Sequence, residues 1–269
     1  MSESQHTPRV LIFDSGVGAL SVGAEIHQLL PNIDLLYAMD RGGFPYGLWQ
    51  ESALVEHICA RVSDILQRHH ADLLVMACNS ASTTVLPALR QQLHIPVVGV
   101  VPAIKPAAAQ SRSRVIGLLA TPGTVQRRYT AELIRDFAGD CCVISVGDAD
   151  LAPAVERLFW QGEESPEVWQ QVAAQFRRHP RAKELDTIVL ACTHFPLVQP
   201  QLAKELAGLH WVDSGAAIAR RVKQLLQERG WPTTGPREAT QQVVILGAEN
   251  ASAALRERLL ERGLTLSAD

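Results

Sequence analysis

Two of the five cysteines, Cys78 and Cys192, follow apolar segments of similar sequence. Residues 75–80 read VMACNS and residues 189–194 read VLACTH. A thiol can serve as a nucleophile, a metal ligand, a redox partner or an acid/base group. Structural zinc sites and catalytic disulfides commonly use C-x₂-C pairs, and the chain contains none. Acid/base and nucleophilic chemistry therefore remain for the two thiols.

Acid/base chemistry suits a symmetrical pair of thiols. Inverting a carbon stereocentre through a planar intermediate requires one base on each face, and the two groups exchange roles in the reverse reaction. The ordinary thiol pKa of about 8.5 falls at a helix N-terminus or beside a cation, which brings it near working pH. A nucleophilic dyad of Cys192 and His194 stays open as the alternative, since only one residue separates the two.

Both cysteines come directly after apolar runs that are typical of buried β-strands. Such runs occur at residues 9–13, 34–38, 72–77, 96–100, 114–119, 141–146, 187–191 and 242–247. Amphipathic patterns between them, as at 51–70 and 125–138, predict helices. Strands that alternate with helices predict an α/β fold with mainly parallel sheets. In such sheets, ligands bind at the carboxyl ends of the strands.

Four loops that follow predicted strands are rich in small and polar residues. Two of them, 14–18 and 120–124, contain no cysteine, and they alternate along the chain with the cysteine loops 78–82 and 192–196. This order predicts two similar α/β halves that each present one cysteine. If a pseudo-two-fold axis relates the halves, the thiols flank one cleft. Each loop is expected to lead into a helix, whose N-terminal amides attract anions. The loop groups suited to binding carboxylates are the hydroxyls of Ser15, Ser80, Thr121 and Thr193 and the amide of Asn79.

Six motifs, in the same order along the chain, resemble the glutamate racemases. They are IFDSGVG (12–18), FPYG (44–47), ACNSAS (77–82), VVGVVPAI (97–104), ACTHFP (191–196) and VDSG (212–215). The resemblance implies two α/β domains with the active site in the cleft between them. It also implies interconversion of L- and D-glutamate without a cofactor or a metal, to supply D-glutamate for peptidoglycan biosynthesis.

The resemblance also implies roles for individual residues. Cys78 would exchange a proton with D-glutamate and Cys192 with L-glutamate, assisted by Asp14 and His194. Glu156, on a predicted helix after Pro153, matches a further acidic position near the site. The substrate would be held by Asp14, Ser15, Tyr46, Gly47, Asn79, Ser80, Thr121, Thr193 and His194.

Two positions depart from the family pattern, and one branch of the family suggests an activator. Ser80 replaces the usual Thr and keeps the hydroxyl, while Ala19 replaces a second Gly. The stretches 116–130 and 212–221 resemble the enterobacterial branch. Its members depend on UDP-N-acetylmuramoyl-L-alanine as an activator, and this precursor is carried over as a candidate partner.

The first domain is predicted to comprise residues 1–101 with 213–269, and the second residues 102–212. A net charge of −3 and a pI of about 6.3 argue against nucleic-acid partners or a polybasic membrane anchor. Because neither a targeting leader nor an apolar run of 18 residues is evident, we expect a cytoplasmic protein, as a monomer or homodimer.

Three alternative functions remain: an aspartate racemase, a thiol hydrolase using Cys192 and His194, and a non-catalytic binder.

Overall fold

The computed structural model describes residues 7–234, 239–247 and 253–267. The prediction that no targeting leader precedes the first strand falls largely on residues 1–6, outside the described residues. The chain divides into two compact units, the first formed by residues 1–100 with 215–269 and the second by residues 101–214. Within the described ranges, no helix is both long enough and apolar enough to span a membrane.

Ten β-strands and eleven α-helices are formed by the described residues. The strands are β1 (Arg9–Asp14), β2 (Asp34–Asp40), β3 (Leu73–Met76), β4 (Val97–Gly99), β5 (Val115–Ala120), β6 (Cys142–Gly147), β7 (Thr187–Leu190), β8 (His210–Val212), β9 (Gln241–Leu246) and β10 (Thr265–Leu266). The helices are α1 (Ala19–Leu29), α2 (Glu51–Arg68), α3 (Asn79–Gln92), α4 (Ile104–Gln110), α5 (Pro122–Gln126), α6 (Arg128–Phe137), α7 (Leu151–Gln161), α8 (Pro166–Arg177), α9 (Gln199–Glu205), α10 (Gly215–Glu228) and α11 (Ala253–Leu260).

All eight predicted strands are present, with ends that differ by one or two residues. Strands β8 and β10 were not predicted, because two or three residues are too few to establish an alternating pattern. The amphipathic pattern over 125–138 corresponds to α6, which begins only at Arg128, and residues 125 and 126 belong to the separate short helix α5. Arg127 has an extended backbone and separates α5 from α6. The Thr124 carbonyl there accepts a 2.6 Å hydrogen bond from the Thr130 hydroxyl, and this bond stabilises the break.

The same strand order occurs in both units. The first unit has the order β10-β9-β2-β1-β3-β4 and the second β6-β5-β7-β8, and every pairing is parallel. Strands β2-β1-β3-β4 thus correspond to β6-β5-β7-β8. The residue before each cysteine makes the same bond, Ala77 N–H to Phe13 O at 2.9 Å and Ala191 N–H to Leu119 O at 2.8 Å. The two thiols therefore occupy corresponding positions at the carboxyl ends of β3 and β7.

Helix α2 shows how the layers of the first unit are held together. Its buried residues, Leu54, Ile58, Val62 and Ile65, recur every three or four positions and form one apolar face. This face joins the sheet residues and α3 in a single core cluster. The second unit has its own core, in which α4 packs with residues of β5 and β7. Each sheet is thus a rigid base for the loops at its strand ends.

Candidate active site

Cys78 lies between the end of β3 and the first residue of α3. Its backbone is extended, and its carbonyl accepts the Ser82 N–H at 2.9 Å, which begins the helix. Cys78 is only 7% exposed, and the next two residues in the sequence, Asn79 and Ser80, are also buried. A helix N-terminus carries unpaired amides and a positive partial charge. This position therefore favours a thiolate or a bound carboxylate.

Asp14 ends β1, the strand next to β3, and is fully buried. Its Oδ1 accepts the Gly16 N–H at 3.0 Å and the Ser15 hydroxyl at 3.4 Å. Because parallel neighbouring strands end at the same edge of the sheet, Asp14 and Cys78 leave that edge together. The structure thus brings together an acidic group and a thiol that the sequence assigned to one site.

Tyr46 adds a neutral donor to this edge. Its buried hydroxyl donates to Asp40 Oδ2 at 2.6 Å, and His57 Nε2 contacts the same oxygen at 2.5 Å. Burial, followed by the Asp40 carboxylate, raises the pKa of Tyr46 far above its ordinary value of 10. Cys78 and Asp14 contribute smaller increases, which places Tyr46 within electrostatic reach of both.

Sequence reasoning missed Asp40 and His57, which fix the turn that carries Tyr46. The His57 ring lies 4.7 Å from the Trp49 ring, and the Trp49 indole donates to the Gly43 carbonyl at 2.9 Å. A Cβ at Gly43 would lie 2.5 Å from Asp40 Oδ2, so the turn has no space for a side chain there. A signal for Asp40 existed, because this carboxylate ends β2, the strand next to β1.

Asn79 holds an unsatisfied polar atom beside Cys78. The residue is 5% exposed, and its Oδ1 has no hydrogen-bond partner in the described part of the chain. A buried oxygen without a donor costs about 1–3 kcal/mol. A ligand that supplies an N–H group at this point would remove that cost.

Cys192 has different surroundings from Cys78. The expectation that a helix starts here is wrong, because the chain forms a 3₁₀ turn at Phe195–Val198 before α9. At 8%, the exposure of Cys192 is close to that of Cys78. At Cys192, a neighbouring side chain and not a helix N-terminus supplies positive charge beside the thiol.

That cation is His194, which contacts both a thiol and a carboxylate. Its Nδ1 lies 3.9 Å from Cys192 Sγ, and its Nε2 lies 2.7 Å from Glu156 Oε1. Burial lowers the pKa of His194, but the hydrogen bonds to Cys192 and Glu156 outweigh burial and raise it well above 6.5. The raised pKa thus favours an imidazolium between the Cys192 sulfur and the Glu156 carboxylate. An imidazolium beside a thiol favours the thiolate.

Helix α7 presents Glu156 to His194, and Pro153 lies within its first turn. Asp148 holds the start of this helix, since its Oδ1 accepts the N–H groups of Asp150 and Leu151, both at 2.9 Å. The second oxygen of Glu156 accepts a hydrogen bond from the Trp160 indole. Sequence reasoning missed Asp148 and Trp160, because neither belongs to a recognised motif.

The remaining predicted residues have the following positions. Thr121 caps α5, where its hydroxyl accepts the Thr124 N–H at 3.4 Å and donates to the Thr124 hydroxyl at 3.0 Å. Thr193, which lies between Cys192 and His194 in the sequence, is buried. Gly47 is half-buried in the 3₁₀ turn Tyr46–Leu48. Their roles toward a substrate stay predictions. Among the described residues, no cluster of three or more His, Cys, Asp or Glu side chains could hold a metal ion.

Comparison with known proteins adds an independent observation. The sequence profile of the Asp/Glu/hydantoin racemase family matches residues 44–222. A glutamate racemase of Shewanella baltica (strain OS195) is 46% identical over 257 residues, which are 95% of this chain and 92% of the relative. A glutamate racemase of Shewanella sp. (strain MR-4) is 50% identical over 220 residues, covering 81% and 79% of the two chains.

Two solved structures have the same fold. Escherichia coli glutamate racemase, in complex with L-glutamate and the activator UDP-MurNAc-Ala, superposes with a TM-score of 0.86. It is 43% identical, and the match covers 97% of each chain. The glutamate racemase isoform RacE1 of Bacillus anthracis gives a TM-score of 0.80 at 26% identity over 98% of each chain.

Proposed function

Since the chain belongs to the Asp/Glu/hydantoin racemase family, among its glutamate racemases, we propose that it interconverts L- and D-glutamate with Cys78 and Cys192 as opposing acid/base thiols. The observation that carries this proposal is the matching placement of one buried thiol at the end of β3 and one at the end of β7. The two units, predicted as 1–101 with 213–269 and 102–212, would each supply one thiol to a shared cleft.

In this mechanism one thiolate removes the α-proton of glutamate, and the electron pair moves into the adjacent carboxylate. The opposite thiol then donates its proton to the other face of the carbon. Cys192 takes the proton from L-glutamate and Cys78 takes it from D-glutamate. Each thiol is ready for the reverse reaction after one turnover, so the proton balance closes without a cofactor. Donors aimed at the carboxylate stabilise the charge that develops there.

Different groups assist the two thiols. At Cys78 the N-terminus of α3 favours negative charge, while Asp14 provides a nearby carboxylate that can accept a proton. At Cys192 the imidazolium of His194, paired with Glu156, stabilises the thiolate. The enzyme therefore makes two chemically similar bases in two different ways.

The substrate-binding groups come mainly from the two cysteine loops. The unpaired Oδ1 of Asn79 would accept a hydrogen bond from the substrate ammonium, which satisfies an oxygen that otherwise has no donor. The carboxylates would be held by side-chain hydroxyls of Ser15, Ser80, Thr121 and Thr193 and by backbone amides of Tyr46, Gly47 and His194. We propose a role in supplying D-glutamate for peptidoglycan in the cytoplasm.

The direct test is incubation of the protein in D₂O with L-glutamate and, separately, with D-glutamate. Each enantiomer should convert to the other, and the product should carry deuterium at the α-carbon. Circular dichroism follows inversion and proton NMR follows loss of the α-proton. L- and D-aspartate serve as the comparison, because an aspartate racemase would prefer the shorter substrate. Absence of α-exchange with both glutamate enantiomers, even with UDP-N-acetylmuramoyl-L-alanine present, would exclude the proposed function.

We further propose that a UDP-muramoyl-alanine precursor activates the enzyme from a groove in the first unit. The groove has a volume of about 450 Å³ and lies between β4 and α10. Arg90 and Arg221 line it, and guanidinium groups suit the diphosphate of a nucleotide. Strand β4 runs directly into the crossover to the second unit, and α10 begins directly after the return at Ser214. A ligand in the groove would therefore contact the elements next to both connections.

Replacing the groove arginines should weaken activation while leaving basal turnover intact. For Arg90→Ala and Arg221→Ala, the precursor concentration for half-maximal activation should rise about ten-fold, because a charge-assisted hydrogen bond is lost. Arg178→Ala, at an exposed arginine of the second unit, is the matched control. Titrations of racemase activity with the precursor measure the effect. Unchanged activation in both groove variants would place the activator elsewhere.

A further inference from the structure

We propose that Trp160 is a positioning residue for the Cys192 half of the reaction. Its indole N–H holds one oxygen of Glu156, so that the other oxygen stays on His194. The inference rests on the proposed function, because it assigns Trp160 to one of the two acid/base thiols. It requires a specific geometry of Glu156, and each contact of that geometry is present.

Glu156 divides its two oxygens between two partners. Oε1 lies 2.7 Å from His194 Nε2, and Oε2 accepts the hydrogen bond from Trp160 Nε1. The Glu156 side chain is 11% exposed, so water has little access to replace either partner. A buried carboxylate with one partner could rotate about its terminal torsion, which is a soft one. The second partner fixes the plane of the carboxylate.

The position of Trp160 on the helix explains why it reaches Glu156. The two residues are four apart in α7, and residues at this spacing lie on the same face of a helix. The Phe159 ring packs edge-on against the Trp160 ring, with centroids 4.8 Å apart. This contact limits the rotation of the indole and keeps its N–H directed at the carboxylate. Helix α7 therefore carries both Glu156 and the indole that fixes the plane of its carboxylate.

The contacts form a continuous series from Trp160 through Glu156 and His194 to Cys192. A loosened carboxylate would stabilise the imidazolium less, and the imidazolium in turn would stabilise the thiolate less. Cys78 belongs to the other unit, where it and Asp14 lie within electrostatic reach of Tyr46. Loss of the indole N–H should therefore affect one thiol and spare the other.

Trp160→Phe tests this inference, because it keeps an aromatic ring beside Phe159 and removes the N–H donor. Trp169→Phe is the matched control: Trp169 is a buried tryptophan on the adjacent helix α8, and its N–H donates to Glu164 at 3.4 Å. Trp160→His is the rescue variant, since its ring can supply an N–H to Glu156. Circular dichroism confirms that each variant folds.

The main readout is the rate at which iodoacetamide alkylates each thiol of the intact protein between pH 6 and pH 9. Peptide mass spectrometry reports Cys78 and Cys192 separately in the same sample. In Trp160→Phe, alkylation of Cys192 at pH 7 should slow about three- to ten-fold, as expected for the loss of one hydrogen bond. Alkylation of Cys78 should stay unchanged, and Trp169→Phe should match the wild type at both thiols. Trp160→His should regain part of the Cys192 rate.

Steady-state kinetics give a second readout. The kcat of Trp160→Phe should fall by a similar factor in both directions while KM for each enantiomer stays within about two-fold, because the indole does not hold substrate. Unchanged Cys192 alkylation, or equal slowing of both thiols, would overturn the positioning role. If the wild type fails to racemise glutamate but the alkylation effect is still confined to Cys192, the proposed function falls and the positioning role stands.

Discussion

Cys78→Ser and Cys192→Ser should each lower kcat for racemisation by about 10²- to 10⁴-fold in both directions, which is the contribution of a positioned acid/base group. In the proposed mechanism both thiols act in every turnover, so the loss of either one slows racemisation in both directions. A serine hydroxyl is almost the same size as a thiol but ionises far less readily. The loss therefore reports acid/base chemistry and not a change of packing.

The two variants should differ in which glutamate enantiomer still exchanges its α-proton with solvent. In Cys78→Ser, the intact Cys192 can still remove the α-proton of L-glutamate and return a deuteron to the same face. L-glutamate should then lose its α-proton slowly in D₂O without inversion, and Cys192→Ser should show the same behaviour with D-glutamate. Proton NMR measures exchange, and chiral chromatography measures inversion.

Cys142→Ser is the matched control, because Cys142 is a half-buried free thiol on β6 outside both cysteine loops. It should retain wild-type kinetics. Loss of activity in Cys192→Ser alone would support a thiol hydrolase that uses Cys192 and His194. Full function in both catalytic-thiol variants would support a non-catalytic binder.

The second large effect concerns the buried pair of His194 and Glu156, whose side chains are 3% and 11% exposed. Burial lowers the pKa of His194, but the contacts with Cys192 and Glu156 raise it well above its ordinary 6.5. Folding therefore favours the protonated imidazole. The stabilisation is fully present below about pH 6.5 and is lost as pH rises from there through the folded-state pKa.

Glu156→Gln should lower the free energy of unfolding by about 3–5 kcal/mol at pH 6, since a buried charge loses its partner. The difference from the wild type should shrink as pH rises, because the wild-type pair loses its charge on the imidazole. Urea unfolding of both proteins at one-unit steps from pH 6 to pH 10 measures this dependence. These measurements are made without glutamate, since a bound ligand would stabilise the folded state.

A surface pair supplies the control for this effect. Arg128 and Glu132 form an ion pair at 2.7 Å, in which the arginine side chain is 92% exposed. Glu132→Gln should change the free energy of unfolding by less than about 1 kcal/mol at every pH, because solvent screens the pair. A loss in Glu156→Gln that is constant from pH 6 to pH 10 would contradict a charged His194.

Much of the fold could be predicted from local sequence. The alternation of apolar runs and amphipathic stretches identified eight strands and the parallel α/β class, because those patterns repeat within a few residues. The break at Arg127 could not be predicted in this way. The hydrogen bond from the Thr130 hydroxyl to the Thr124 carbonyl forms across the break, and the spacing of apolar residues does not encode it.

The sequence by itself predicted that Cys78 and Cys192 carry the chemistry, since each cysteine lies beside polar residues in one short loop. The tertiary structure alone decided how the two thiols differ. Cys78 borders the N-terminus of α3, whereas Cys192 relies on His194, Glu156 and Trp160. Glu156 and His194 are far apart along the chain and meet only when α7 packs beside the loop after β7. Contacts of this kind depend on the shared geometry of several elements, and no local pattern specifies them.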